Sequence, residues 1–428
     1  MSEIMSENKN NSAWQKIFEK YDVLREIERN NIFKISAEQI REFREPRLMA
    51  KFDHKINLPK IFLENGLSIL PITRGDYIIS HFDLYHKFEA ENKNICKMQL
   101  PDYIQSLDCN DIFSESVALN CAFASGIISD FIEDEQIIPA VFGRMGAGSF
   151  NFSVDDVKNS SKLSIQVKNP QIEIDASYEG INNFAIFEAK RDISEDFLIR
   201  QIYYPYRMWK EKLTKNIKTV FFVYSNGIYH LYEYKFENPE HYNSLQLVKQ
   251  KNYSVEDTKI TVEDIQKILS EINFLPEPED IPFPQADKFE RIINLCELLS
   301  KKEMHKDEIT QKYDFDSRQT NYYTAAARYL GLIEGKNLKY NLSNSGKKIL
   351  SCNFKNRQLA YCKCILSHKI FYDILRKYFE CGEMPDKNYI IRLMKKSNLN
   401  DIKSDETFGR RSSTIKSWIN WIVELINE

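Results

Sequence analysis

The chain has 428 residues, 43% of them hydrophobic and 13% aromatic, which is the make-up of a folded protein and not of a disordered one. The length accommodates two to four domains with sizeable cores. The net charge of −3 argues against a protein that coats nucleic acid by charge alone.

The start, MSEIMSENKNNS, is polar and lacks the basic-then-apolar layout of a signal peptide, so residues 1–12 are expected to be a disordered start. No apolar run approaches the roughly 18 residues of a transmembrane helix, and a cytoplasmic protein with no membrane partner is expected. Eight scattered cysteines without a paired framework read as reduced thiols. Cys362 and Cys364 are spaced i, i+2 on an expected helix and diverge, so they read as core residues and not as zinc ligands.

Residues 13–29 carry Trp14, Ile17, Phe18, Tyr21 and Leu24 at helical spacing. A second helix is expected after Ser36, which caps with Glu38 and Gln39 behind it, and it ends near Pro46. The segment REFREPRLMAK holds Arg41, Arg44, Arg47 and Lys51, which either meet phosphates or form a plain helix surface. Strands follow at 67–72 and 76–80 around an Arg74-Gly75 turn, and residues 13–110 read as an α/β region that contacts DNA. Residues 113–132 read as one long helix rich in small residues, with Glu115 in its first turn. Gly146 and Gly148 do not make a phosphate loop, because no Gly-Lys-Ser/Thr follows them.

Residues 171–191, QIEIDASYEGINNFAIFEAKR, alternate as a β-hairpin with a polar turn at 179–183. The first arm sets Glu173 and Asp175 on one face and Ile172, Ile174 and Ala176 on the other. Glu188 and Lys190 share a face of the second arm, so Asp175 and Glu188 can meet across the hairpin with an amine two residues along. Paired carboxylates form a hard-oxygen pocket suited to Mg²⁺. The alternative is a hairpin whose Glu and Lys form an ordinary ion pair. An amphipathic helix at 195–210, with Gln201, Tyr204, Tyr206 and Arg207, and an apolar strand at 219–224 follow.

This stretch resembles the PD-(D/E)xK nuclease signature, with Asp175 as its first acid and Glu188-Ala189-Lys190 as its E-x-K; Ile174 stands where the name puts proline. The resemblance implies an α/β fold: a restriction-endonuclease-like core in which a mixed central sheet is flanked by helices, here over residues 111–274. It also implies that Asp175, Glu188 and the carbonyl of Ala189 hold Mg²⁺, that Lys190 orients the attacking water, and that Gln201 positions the hairpin. Such nucleases commonly carry a further acid on the helix before the hairpin, a place that Glu115 matches. A first-turn glutamate favoured by the helix dipole explains Glu115 equally well.

Residues 275–285, LPEPEDIPFPQ, carry four of the 13 prolines and are expected to be a linker. From residue 285 onward 26 Lys and Arg stand against 18 Asp and Glu, leaving 33 against 44 in the remainder, so the C-terminal third is the part expected to meet a polyanion. Helices at 287–300, 306–312 and 316–330, the last capped by Asp316 or Ser317, and a strand at 338–342 resemble a winged helix-turn-helix over 286–352. Its third helix would present Arg318, Gln319, Asn321 and Tyr322 to a major groove. Residues 353–428 read as a second helical, winged-helix-like domain. Its last helix, at 406–427, opens with Arg410, Arg411, Ser412, Thr414 and Lys416 as DNA contacts and turns apolar at Trp418.

The order resembles a multidomain type II restriction endonuclease. That resemblance implies Mg²⁺-dependent hydrolysis of phosphodiester bonds in double-stranded DNA, with a homodimer and a cognate DNA methyltransferase as expected partners. The rival readings are a repair or structure-specific nuclease on the same core, and a DNA-binding regulator with a structural hairpin.

Overall fold

The computed structural model describes residues 9–89, 94–109, 112–312, 317–397, 399–400, 402 and 404–426. Asp316, one of the two expected caps, and residues 1–8 of the expected disordered start lie outside them. The fold is mixed α/β with a multi-strand sheet, and the chain divides into two compact units. The first takes in the described residues of Met1–Asn94, Phe113–Tyr224 and Tyr229–Asn252, and the second those of Ile95–Ile112, Ser225–Ile228 and Tyr253–Glu428. No helix among the described residues is long and apolar enough to cross a membrane.

The first unit opens with two helices, Lys9–Lys20 and Val23–Asn30, where one was expected. Asp22 lies between them in the left-handed region, with φ 47°, and ends the run that periodicity alone carried through. Residues 9–12 thus belong to a helix and not to a disordered start. The Ser36 cap closes a full capping box with Gln39, but its helix is only Ala37–Arg41. The 113–132 helix is likewise two, Glu115–Ala124 and Ile127–Ile132, broken at Gly126 with φ 78°. Trp14, Ile17, Phe62 and Ile79 are fully buried in a core that spans residues 13–79.

In the first unit the central sheet runs Leu245–Ser254, Ile228–Phe236, Asn216–Ser225, Asn183–Lys190, Ala176–Glu179, Ile138–Pro139. Asn183–Lys190 is the pivot: it pairs antiparallel with Ala176–Glu179 and parallel with Asn216–Ser225. Helix Arg200–Lys210 makes the crossover between the parallel pair, and Phe184 packs on its Trp209 at 5.0 Å. Covered on both faces, the strand reads NFAIFEAK and is buried from Asn183 to Ala189.

The turn before that strand is fixed by Asp134, whose carboxylate accepts from the backbone N–H groups of Ile181, Asn182 and Asn183. A Cβ on Gly180 would lie 2.3 Å from that carboxylate, so the turn requires glycine.

Two expectations for this unit are corrected. The first hairpin arm is not one strand: Gln171–Ile174 pairs with Gly143–Gly146, Ala176–Glu179 pairs with Asn183–Lys190, and Asp175 is the joint. The 195–210 segment starts as strand Asp196–Leu198, held antiparallel to Tyr85–Lys87, before its helix begins.

In the second unit one core runs from Ile260 to Ile422, so residues 286–352 and 353–428 do not have separate interiors. Helix Val262–Glu271, expected in the nuclease region, contributes Ile265 to this core. The Pro-rich stretch is no loose linker. Phe283 is buried and stacks on Phe371 at 5.9 Å, Glu277 accepts from Tyr329 Oη at 2.6 Å, and Leu275 N–H donates to Ser367 O at 2.9 Å.

Helices Phe289–Leu299, Lys306–Lys312 and Ser317–Tyr329 accompany a three-stranded sheet of Met304–His305, Lys339–Leu342 and Ile333–Lys336, in that spatial order. The last helix, Asp405–Glu424, is capped by Ser404. Arg411, Ser412 and Thr414, expected at a DNA surface, are buried on its core side. Thr414 Oγ1 donates to Asp287 Oδ1 at 2.7 Å and Ser412 Oγ to Gly409 O at 2.8 Å. The apolar stripe of Ile415, Trp418 and Ile422 therefore extends back through Ser412 and Thr414, whose hydroxyls are satisfied internally.

Candidate functional site

Alternation along Asn183–Lys190 puts Glu188 and Lys190 on the face that helix Arg200–Lys210 covers. Lys190 Nζ donates to Glu188 Oε1, and Gln201 Nε2 donates to the same oxygen at 2.5 Å. Asp175 reaches the strand from its neighbour: its Oδ2 accepts the Ala189 N–H at 2.8 Å. The register Ala176↔Phe187 explains this reach, because the residue before Ala176 falls beside the end of the pivot strand. Glu173 is outside this set of hydrogen bonds; it is exposed and accepts from Arg144 Nε at 3.2 Å.

Burial dominates the electrostatics. It pushes the Glu188 carboxyl up to about 7, against the pull of Lys190, and the charges of Asp175 and Asp53 add to the rise. It also raises Asp175, opposed by Lys190 and the Ala189 N–H, with Glu115 and Glu173 adding to the rise. For Lys190 burial works downward, but Glu188, Asp53 and Asp175 together outweigh it and hold the ammonium well above the ordinary lysine range. Both members of the ion pair are therefore raised: Glu188 is governed by desolvation, and Lys190 by three surrounding carboxylates.

Asp53 and Arg200 are the site residues that sequence reasoning missed. Asp53 comes from the N-terminal region, and its carboxyl is lowered: burial works upward, but Lys190, Lys51, His54 and Arg200 outweigh it. No periodicity marks the KFDH segment, and its place beside Lys190 is set by tertiary structure alone. Glu115 begins its helix, exposed, with Ser114 Oγ capping the Val117 N–H at 3.2 Å; it reaches the site as a charge acting on Asp175.

The donor set suits a hydrated divalent cation. Two carboxylates and the backbone of Ala189 meet at one strand end, and both carboxyls hold their protons more tightly than usual, a cost that a cation would relieve. Asp53 Oδ1 and Gln201 Oε1 are buried acceptors with no hydrogen-bond partner among the described residues. A water carried by such a cation would supply the donor that Gln201 Oε1 lacks. Among the described residues no three His, Cys, Asp or Glu side chains group closely enough to form a metal cage by themselves.

The DNA-contact candidates fall into three sets. Arg41 and Arg47 are exposed and Arg44 is half-buried. On helix Ser317–Tyr329, Arg318 and Asn321 are exposed and Gln319 and Tyr322 half-buried. Arg318 Nε donates to Tyr322 Oη at 2.6 Å. Arg410 and Lys416 are exposed, and with Arg411, Ser412 and Thr414 buried they are what remains of the third set.

Three family models match the chain. Each is described as a domain of unknown function: DUF6996 over residues 11–79, DUF6997 over residues 80–254 and DUF7226 over residues 291–427. The DUF6997 match contains Asp175, Glu188, Lys190 and Gln201, whereas Asp53 lies in the DUF6996 match. No curated protein and no solved structure matches the chain.

Proposed function

We propose that the chain is a Mg²⁺-dependent endodeoxyribonuclease of the PD-(D/E)xK kind, cutting double-stranded DNA as a type II restriction enzyme does. The observation that carries this reading is the convergence of Asp175, Glu188 and Lys190 at one end of the pivot strand, with Gln201 fixing Glu188 from the crossover helix. Asp175, Glu188 and the Ala189 carbonyl would hold the cation, which when bound supplies polarisation of the scissile phosphate and a more acidic attacking water. Lys190 offers a fixed positive charge to the phosphate as negative charge builds on it. Gln201 keeps the Glu188 carboxylate in one orientation. Incubation of the protein with a long DNA of known sequence and Mg²⁺, followed by sequencing of fragment ends, tests the reading; intact DNA would refute it.

The second unit supplies the matching reader. Its helix and strand order around Ser317–Tyr329 supports a winged-helix reading, and Arg318 and Asn321 stand exposed at the front of the candidate reading helix. Arg318→Ala and Gln319→Ala are each expected to cost about 1–3 kcal/mol of binding to the recognised site and to relax its sequence. Equal loss on all DNA sequences in a binding assay would reassign both side chains to phosphate contact.

Metal dependence should follow pH in a defined direction. Between the ordinary glutamate value of 4.5 and about 7, the folded chain keeps a proton on Glu188 that the unfolded chain has released. Cation-free stability therefore falls as pH rises through that window. The raised Asp175 acts in the same sense, while Lys190, raised above 10.5, contributes uniformly there. A divalent cation competes with the Glu188 proton, so the Tm gain from Mg²⁺ should be small at the acid end of the window and grow towards its upper end. A Tm gain that is the same at both ends would contradict this.

A further inference from the structure

A buried ammonium needs a carboxylate partner, and the one to which Lys190 is hydrogen-bonded is Glu188. If Glu188 held a divalent cation, Lys190 would share that carboxylate with a like charge and would need another oxygen nearby. Asp53 offers that oxygen. Its Oδ2 faces Lys51, whose Nζ is 3.8 Å away, but its Oδ1 is buried with no hydrogen-bond partner among the described residues.

The loop that carries it is pinned. Asp53 O accepts the Leu198 N–H at 3.0 Å, Phe52 O accepts from Tyr85 Oη at 3.0 Å, and His54 Nδ1 lies 2.6 Å from Asp196 O. These bonds fix the backbone that carries the carboxylate, and the charge acting most strongly on it is Lys190, ahead of Lys51.

We propose that Asp53 is a positioning residue, the second acceptor to which Lys190 transfers when Glu188 engages the cation. The proposal rests on the nuclease reading. It gives the N-terminal region a part in the catalytic site, because Lys190 is then held beside the phosphate and not left to the cation's repulsion.

Crystals of the full chain grown without divalent cation and then soaked in Ca²⁺ test the transfer without relying on activity. Lys190 Nζ is expected on Glu188 in the first state and within about 3 Å of Asp53 Oδ1 in the second. Ca²⁺ bound at Asp175 and Glu188 with Lys190 unmoved, or with Arg200 on Asp53 Oδ1 instead, overturns the proposal and leaves the nuclease reading standing. No Ca²⁺ at those carboxylates overturns both. In solution, Asp53→Asn should lower kcat roughly 10–100-fold with KM for DNA unchanged. An unchanged kcat, or a loss confined to KM, also overturns it.

Discussion

Asp175→Ala, Glu188→Ala and Lys190→Ala will each lower DNA cleavage by roughly 10²–10³-fold or more, about 3–4 kcal/mol of transition-state stabilisation, while DNA binding in Ca²⁺ stays near the parental value. The three side chains share one strand end and one set of hydrogen bonds, so their effects should not add: a double variant is expected to be barely worse than a single one. Glu188→Gln is the sharpest of the set. It keeps the size of the side chain and an oxygen for Lys190 and Gln201, and it removes the charge that a cation needs. Full cleavage by Asp175→Ala in Mg²⁺ would remove the metal from the site as read here. Cleavage lost together with all DNA binding would mean that the variants had lost the fold, which circular dichroism separates from loss of chemistry.

Trp418→Ala will destabilise the second unit by about 3–5 kcal/mol. The indole is fully buried, its Nε1–H donates to Ala286 O at 2.7 Å, and its ring lies 5.1 Å from Phe371 and 5.4 Å from Phe289. It thus ties together the Pro-rich strap, the first helix after it and the closing helices. Since one core spans these elements, denaturant unfolding of the variant should shift protease susceptibility across residues 260–426 together. Proteolysis confined to residues 353–426 would mean that the end of the chain unfolds independently.

What could be read in advance was local. The strand NFAIFEAK, the Ser36 cap and the hairpin–helix–strand order over residues 176–225 are written in neighbouring residues, and the structure has each of them. Helix interruptions at Asp22 and Gly126 depend on single left-handed residues, to which a hydrophobic period is blind. Polarity does not imply exposure at Arg411, Ser412 and Thr414, which are buried; the Thr414 hydroxyl finds its acceptor in Asp287, a residue far away in sequence. Asp53 was out of reach for another reason: its neighbours in the fold lie more than a hundred positions along the chain, and nothing in KFDH announces them.

The parallel pairing of Asn183–Lys190 with Asn216–Ser225 also sets a timetable for synthesis. A nascent chain leaving the ribosome at roughly 5–20 residues per second holds Asp53, then Asp175, then Glu188 well before the crossover helix and the second parallel strand emerge. Until residue 210 is free of the exit tunnel the Glu188–Lys190 face lacks its cover, and until residue 225 is free the pivot strand has an unpaired edge. The cover of the carboxylate cluster is therefore added after the residues that form it have emerged. A polypeptide that ends between residues 190 and 200 carries all three of Asp175, Glu188 and Lys190 without the helix that covers them or the parallel strand that pairs with theirs.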